Sequence, residues 1–189
     1  VMNKSYRNTV EISSYANALT GVDDVELFDR HGKPVTEQNF ASLDQTLDAV
    51  VQELRLDPEL VAATSDEDAP ASENSACPDE QSADNAPAFE TAAVILRTAA
   101  EAEQAYEILR KKLSARGFDV KNALSLLHRD STTFRKGLTV TTFYLAKGLE
   151  FDQVFSIFPA KDQRPLVRQA RYIAATRALH ELYVYEIQA

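Results

Sequence analysis

The sequence lacks several features that define other classes of protein. It contains one cysteine, Cys77, so it can form neither an internal disulfide nor a cysteine-based zinc site. No apolar run approaches the ~18–20 residues of a membrane-spanning helix, and the start shows no signal-peptide pattern. We therefore expect a soluble, cytoplasmic protein. At 189 residues the chain is long enough for one domain, residues 1–189, with a sizeable core.

Basic residues are missing from one long segment. Residues 56–96 hold ten Asp/Glu and no Lys or Arg, which accounts for the formal net charge of −9. Residues 110–177, by contrast, hold fourteen Lys/Arg against five Asp/Glu. A charge of −9 spread evenly would argue against nucleic acid, but this asymmetry leaves a basic region in which such a ligand could bind.

Large apolar residues are also rare within the acidic segment. Residues 57–88 consist mainly of Ser, Ala, Asp, Glu, Asn and Pro. Such a composition cannot bury enough apolar area to offset the entropy of ordering the chain. We therefore predict a disordered acidic loop at 57–88, inserted within the single domain.

The first half of the chain is predicted to contain two helices and a hairpin. A helix is expected over 5–18, with Ser5 or Asn8 as N-cap and Gly21 as its stop. Residues 25–28 and 33–35, separated by a turn at Gly32, resemble a hairpin. Ser42 and Gln45 form a possible capping box for a second helix that ends near Arg55.

Strands and helices alternate in the second half, which indicates a parallel α/β sheet. The predicted strands are 92–96, 138–143, 154–158 and 182–187, with a short extended piece within 118–127. Thr98 and Glu101 form a capping box for a helix that stops at Gly117. Helical spacing also joins Tyr172, Ile173, Ala175, Leu179 and Leu182.

Three motifs in order carry a resemblance to a known family. They are NKSYRNTVEISSYANAL at the start, AKGLEFD from Ala146, and AATRALHEL from Ala174. They resemble the fourth, fifth and sixth motifs of superfamily 1 (UvrD/Rep-like) DNA helicases, especially the helicase IV or HelD-like branch. The resemblance implies the second, C-terminal RecA-like domain of the motor: a parallel sheet flanked by helices. The short interval between the first two motifs implies that the family's accessory domain is absent or reduced.

The resemblance also implies an ATP site. Tyr6 would stack on adenine, Arg7 and Arg177 would reach the γ-phosphate, and Glu150 would contact the ribose. A guanidinium suits the phosphate role because its planar, permanently charged fork matches phosphate oxygens. Gly148 would allow a tight turn. Ligands of parallel sheets bind at the carboxyl ends of the strands, so we expect the turn at 146–150 and the ATP cleft to lie there.

Single-stranded DNA is the second ligand that the resemblance implies. Thr142 would contact a phosphate, Tyr144 would face the DNA, and Lys147 would hold the turn or approach the DNA. Many relatives have His in place of Tyr144, and a core position for this tyrosine is nearly as well supported. The alternative for Glu150 is an ion pair with Lys147, and for Arg177 a purely structural ion pair.

No glycine-rich phosphate loop ending in Gly-Lys-Ser/Thr occurs in the chain, so nothing in it can cradle a β-phosphate and its Mg²⁺. We expect no metal site in the chain. We also expect further sequence upstream, which contains the N-terminal motor domain that completes the site for ATP and Mg²⁺. Two alternatives stay open: a HelD-like ATPase that acts on RNA polymerase, and a degenerate RecA-like binding module.

Overall fold

The computed structural model describes residues 4–5, 8–21, 26–27, 29–57, 88–127, 135–162 and 164–188. Two of the predicted ATP contacts, Tyr6 and Arg7, lie outside the described residues, as does Cys77. The predicted acidic loop lies outside them as well, except for its first and last residues, Asp57 and Ala88.

Eight strands and five helices make up the described chain. The strands are β1 (Lys4–Ser5), β2 (Glu26–Leu27), β3 (Thr36–Phe40), β4 (Thr91–Leu96), β5 (Leu124–Leu126), β6 (Gly137–Thr142), β7 (Phe151–Pro159) and β8 (Ala178–Ile187). The helices are α1 (Val10–Thr20), α2 (Leu43–Glu53), α3 (Ala99–Ala115), α4 (Val120–Ala123) and α5 (Pro165–Ala175). None of these helices is both long and apolar enough to be a candidate membrane span.

Six of the strands form one sheet in the order β3-β8-β7-β4-β6-β5, and every neighbouring pair is parallel. The other two, β1 and β2, form a separate parallel pair. Because all six strands run the same way, their amino ends share one edge of the sheet and their carboxyl ends share the other. We call these the amino edge and the carboxyl edge.

Helices cover both faces of the six-stranded sheet, as an all-parallel sheet requires. On one face α2 and α3 pack against side chains such as Val94, Val140 and Phe155. On the other, α1 and α5 pack against Ile95, Val154 and neighbouring residues. Successive residues of each strand point to opposite faces, so the central strands are apolar almost throughout. The prediction of a parallel α/β sheet flanked by helices is confirmed.

Several local predictions are also confirmed. The helix predicted from Ser42 is α2, and the hydroxyl of Ser42 accepts a hydrogen bond from the backbone N–H of Gln45. Thr98 and Glu101 form the predicted capping box at the start of α3. Gly21 ends α1 with a φ of 69°. These predictions succeed because capping depends on residues close together in the chain.

Two predictions in the first half of the chain are wrong. The first helix does not begin at Ser5, which belongs to β1; it begins at Val10 with Thr9 as its N-cap. Among the residues that the structure describes, the predicted hairpin does not form either: β2 pairs with β1, and the next strand, β3, pairs in parallel with β8. Three of the five residues of β3 are exposed polar residues, so the sequence carries no apolar alternation that would reveal this edge strand.

The end of the chain also departs from its prediction. The last helix stops at Ala175, so Leu179 and Leu182 lie in β8 and do not continue the helix. Their spacing fits a helix, but the backbone of β7 from Phe151 to Pro159 is available for pairing. It pairs in parallel with β8 from Ala178 to Ile187. Tertiary pairing outweighs local spacing here.

Candidate functional site

One short connection links the two edges of the sheet. Strand β6 ends at Thr142 on the carboxyl edge, and β7 begins at Phe151 on the amino edge, on the other side of β4. Residues 143–150 must therefore cross the face of β4 from one edge to the other. Phe143, Ala146 and Leu149 anchor this crossover in the core beneath α1 and α5.

The predicted ATP contacts of the second half of the chain come together at the amino edge. Glu150 directly precedes β7 and Arg177 directly precedes β8, and the first residues of these strands, Phe151 and Ala178, are partners in register. The backbone N–H of Phe151 donates to the carbonyl of Arg177 over 2.9 Å. The sheet thus places residues 27 positions apart in the chain side by side.

The expectation that these residues lie at the carboxyl ends of strands is wrong. The crossover starts at the carboxyl edge but delivers Gly148 and Glu150 to the amino edge, where Arg177 also lies. The rule for parallel sheets describes loops that leave a strand and enter a helix. It does not apply to residues that have already returned to the start of the next strand.

The guanidinium of Arg177 is half-buried and tethered at two points. Nη1 donates to the carbonyl of Leu149 over 3.2 Å, and Nη2 donates to the hydroxyl of Thr176 over 3.2 Å. Its Nε is buried and has no hydrogen-bond partner within the described part of the chain. The Nε atoms of Arg97 and Arg171 are also buried without a partner, so this state is not particular to Arg177.

Gly148 and Lys147 form the last turn of the crossover. Gly148 has a φ of 92°, and a Cβ built on it would meet nothing within 4 Å. The positive φ favours glycine here, which fits the predicted tight turn, and crowding plays no part. Lys147 is exposed, and Glu150 beside this turn is half-buried.

The predicted DNA contacts divide between the two edges. Thr142 lies at the carboxyl edge and is 8% exposed; its hydroxyl accepts a hydrogen bond from the N–H of Leu145 over 3.4 Å. Tyr144 follows at the start of the crossover and is 67% exposed, which excludes a core position for its ring. Lys147 reaches the far end of the crossover, so the structure does not bring the three residues together.

A cleft at the carboxyl edge contains residues that sequence reasoning missed. Its volume is about 450 Å³, and it is lined by Arg97, Thr98, Phe143, Arg164, Leu166, Val167 and Ala170. Asp162 lies between the two arginines, 3.6 Å from Nη1 of Arg97 and in a hydrogen-bonded ion pair with Arg164. The hydrogen bond from Arg164 is the main reason that the pKa of Asp162 falls to about 2.

No sequence signal marks Arg97 as a site residue, because it lies outside the basic region of residues 110–177. Arg164 lies within that region but belongs to none of the three motifs. Arg97 follows β4 and Arg164 caps the start of α5 after β7, so only the parallel pairing of these strands brings the two arginines together with Phe143, which precedes the exposed Tyr144.

Residues 137–185 match the family model of the UvrD-like helicase C-terminal domain. This UvrD-like segment extends from β6 through the crossover and α5 into β8. It contains all the predicted site residues of the second half of the chain, which are Thr142, Tyr144, Lys147, Gly148, Glu150 and Arg177. No curated protein matches the chain.

The fold of almost the whole chain is shared with a solved structure. The crystal structure of the C-terminal domain of a possible DNA helicase from Lactobacillus plantarum WCFS1 aligns with 98% of this chain and 89% of its own, with a TM-score of 0.60 and 24% sequence identity. The shared arrangement is α/β and RecA-like, with the six-stranded parallel sheet and flanking helices described above. The fold likeness therefore extends well beyond the UvrD-like segment on both sides.

A second polar cluster of the UvrD-like segment lies at the amino edge. His180 accepts a hydrogen bond at Nδ1 from Arg30 over 2.8 Å, and its Nε2 lies 3.7 Å from the Asp152 carboxylate. Phe89 stacks on the imidazole with 5.6 Å between ring centroids. The two ring nitrogens of His180 thus lie against charged side chains, Arg30 at Nδ1 and Asp152 at Nε2.

Metal binding has no support within the described ranges. No group of three or more His, Cys, Asp or Glu residues there could hold a metal ion. At the amino edge the Arg177 guanidinium is a planar, charged donor group that suits an anion.

Proposed function

We propose that this chain is the C-terminal motor domain of an ATP-dependent DNA helicase, and that its amino edge supplies half of the ATP site. The observation that carries the proposal is the position of Arg177 within the UvrD-like segment. It is a half-buried arginine held against the crossover, with one buried donor unpartnered. The match to a family of helicase C-terminal domains supports a motor domain, and the proposal adds the roles of the residues.

Arg177 acts as an arginine finger in this proposal. Charge develops on the transferred phosphoryl group of ATP, and a planar guanidinium stabilises that charge through paired hydrogen bonds. Glu150 accepts hydrogen bonds from the ribose hydroxyls, since a carboxylate would be repelled by phosphate. Tyr6 and Arg7, outside the described residues, complete this half of the site by stacking on adenine and reaching the γ-phosphate.

The other half of the site comes from a second motor domain of the same protein. The chain has no phosphate loop ending in Gly-Lys-Ser/Thr, so the β-phosphate and Mg²⁺ are held by that partner. The amino edge, which carries Arg177, therefore faces the partner domain. Since both halves are needed, we expect this chain alone to fold and to show no ATP turnover.

Single-stranded DNA follows the other edge in this proposal. The cleft of about 450 Å³ combines two arginines with the apolar side chains of Phe143 and Leu166. Arginines bind phosphates, and here a DNA phosphate would compete with Asp162 and Glu101 for the two guanidinium groups. The neighbouring exposed Tyr144 offers a stacking surface for a base. Thr142 and Lys147 border the crossover at its two ends. In this proposal the eight-residue crossover thus connects the carboxyl edge, which binds DNA, to the amino edge, which binds ATP.

A DNA-dependent motor works where the DNA is, so a cytoplasmic location remains part of the proposal. The helicase IV or HelD-like branch is a finer assignment, which the family match and the structural match do not distinguish from other branches. RNA polymerase as a partner and a degenerate binding module have no observation in their favour among the described residues.

Removal of Arg177 tests the function in the full-length protein. We expect Arg177→Ala to lower the ATPase rate by roughly 10³–10⁵, the range for arginine fingers, while nucleotide and DNA affinities change far less. Arg177→Lys should rescue poorly, because an ammonium keeps the charge but loses the fork. Arg168 is the matched control: it is exposed and also donates to a backbone carbonyl, that of Leu19, over 3.0 Å.

The same proteins distinguish a structural role for Arg177. If the residue serves only the fold, Arg177→Ala lowers the melting temperature and leaves the activity of each folded molecule near normal. Near-normal turnover in a well-folded Arg177→Ala protein would therefore overturn the proposal, whereas Arg168→Ala should keep wild-type turnover.

A further inference from the structure

The side chain of Asn8 holds the backbone on both sides of Arg177. Its Nδ2 donates one hydrogen bond to the carbonyl of Thr176 over 3.3 Å and another to the carbonyl of Ala178 over 2.6 Å. Asn8 is 9% exposed; its bond to Ala178 is buried and its bond to Thr176 is partly buried. These contacts join residues about 170 positions apart in the sequence.

Three consecutive carbonyls around Arg177 are fixed in this way. Asn8 donates to the carbonyls of the residues before and after Arg177, and the N–H of Phe151 donates to the carbonyl of Arg177 itself. Helix α5 ends at Ala175 and β8 begins at Ala178, so Arg177 lies in the two-residue connection, whose N–H groups bond back to the last turn of α5. The side chain of Asn8, from another part of the chain, adds a constraint on the carbonyl side of these peptide groups.

We propose that Asn8 is a positioning residue for Arg177: it aims the guanidinium by clamping the two peptide groups that flank it, and it does not itself touch the nucleotide. The inference rests on the proposed role of Arg177.

An asparagine fits this task because its amide nitrogen carries two hydrogens that diverge toward two acceptors. An alanine donates nothing, and a carboxylate at the same place would face two carbonyl oxygens and be repelled. Asn8 and Thr176 also line a cavity of about 80 Å³ between α1 and α5. The cavity leaves the backbone of Thr176 and Arg177 room to move once the clamp is lost.

A misplaced guanidinium should slow the chemical step more than it weakens binding. Displacing a reacting group by about 1 Å can cost roughly 10²-fold in rate. In the full-length protein we therefore expect Asn8→Ala to lower kcat by about tenfold to a hundredfold, with the KM for ATP nearly unchanged. Asn39, an exposed residue of β3, is the matched control, and Asn39→Ala should keep wild-type kcat.

A double-mutant cycle separates positioning from general stabilisation. Single-turnover ATPase rates, which resolve slow reactions, are measured for wild type, Asn8→Ala, Arg177→Ala and the double variant. If Asn8 acts through Arg177, its removal changes the rate of the Arg177→Ala protein by less than about threefold. If Asn8→Ala folds poorly, Asn8→Ser, which keeps one donor of shorter reach, takes its place in the cycle.

The outcomes distinguish this inference from the proposed function. Equal losses of kcat from Asn8→Ala in both backgrounds would overturn the positioning role while the arginine finger stands. A wild-type rate for Asn8→Ala would overturn it too. Normal turnover of Arg177→Ala would overturn the proposed function, and the positioning role with it.

Discussion

Arg177 donates a hydrogen bond from Nη1 to the carbonyl of Leu149 over 3.2 Å, and this bond joins the end of the crossover to the start of β8. Leu149 is anchored in the core beneath α1 and α5, so the acceptor is well fixed. The arginine is therefore held at the amino edge before any ligand arrives. Such preorganisation lowers the cost of placing a charge when a transition state forms.

Gly137, at the start of β6, should tolerate no side chain. Its φ is 103°, and a Cβ would lie 2.6 Å from the carbonyl oxygen of Ala123. We expect Gly137→Ala to lower the free energy of unfolding by about 3 kcal/mol or more. The alanine would adopt a strained φ, and the backbone at Ala123 would also have to move away from the new Cβ. Gly117→Ala is the control: its φ is 83° but the space is open, so only ~1 kcal/mol should be lost. Equal losses in urea titrations would contradict this.

Tyr144 should matter for DNA and not for stability. Its side chain is 67% exposed, so Tyr144→Ala should leave the melting temperature unchanged. If the ring stacks on a base, the same variant should weaken single-stranded DNA binding by ~1–3 kcal/mol. Tyr144→Phe keeps the ring and should bind as wild type does. Fluorescence anisotropy with a short labelled oligonucleotide checks both variants, and unchanged affinity for Tyr144→Ala would exclude stacking.

Gln153 should be essential to a buried polar network beneath α2. The residue is fully buried; its amide donates to the carbonyl of Glu53 over 2.8 Å and to Glu181 over 3.1 Å, and its oxygen accepts from the N–H of Arg55. Gln153→Leu leaves these partners unsatisfied, so we expect a loss of about 2–4 kcal/mol in chemical denaturation. The exposed Gln38 serves as control, and Gln38→Leu should stay within about 0.5 kcal/mol. A loss that small for Gln153→Leu would show the network to be dispensable.

The exposed pair of His31 and Glu11 should make stability depend on pH. Their hydrogen bond of 2.9 Å lowers the pKa of Glu11 from 4.5 to about 2 and raises that of His31 above 6.5. The glutamate contributes stability above pH 4.5 and loses it as pH falls toward 2. The histidine contributes below pH 6.5 and loses its contribution as pH rises through its higher pKa.

The two contributions overlap between about pH 4.5 and 6.5, so the melting temperature of wild type should exceed that of His31→Gln most in this window. The difference should be small and should shrink in high salt, since solvent screens exposed charges. Asp29 also lies 3.3 Å from His31. When both proteins also carry Glu11→Gln, the difference in melting temperature caused by His31→Gln should therefore be mostly, and not entirely, lost. A difference that does not vary with pH would argue against this pairing.

The amino-acid sequence by itself determined the elements whose signals are local. Thr98 and Glu101 cap α3, Ser42 caps α2, and the apolar run before Arg97 becomes the buried strand β4. Each signal needs only residues within a few positions of one another, because a helix cap is made by neighbours in the chain. The motif residues from Thr142 to Arg177 were also identified as site candidates without coordinates.

Tertiary structure alone decided where those residues lie. Strand order places β4 between β6 and β7, so the crossover spans the sheet and carries Glu150 to the edge opposite Thr142. Pairing of β7 with β8 then brings Arg177 beside Glu150. The fold also places Asn8 where it donates to the carbonyls on both sides of that arginine. Parallel pairing joins segments far apart in the chain, and local sequence patterns do not encode which segments meet.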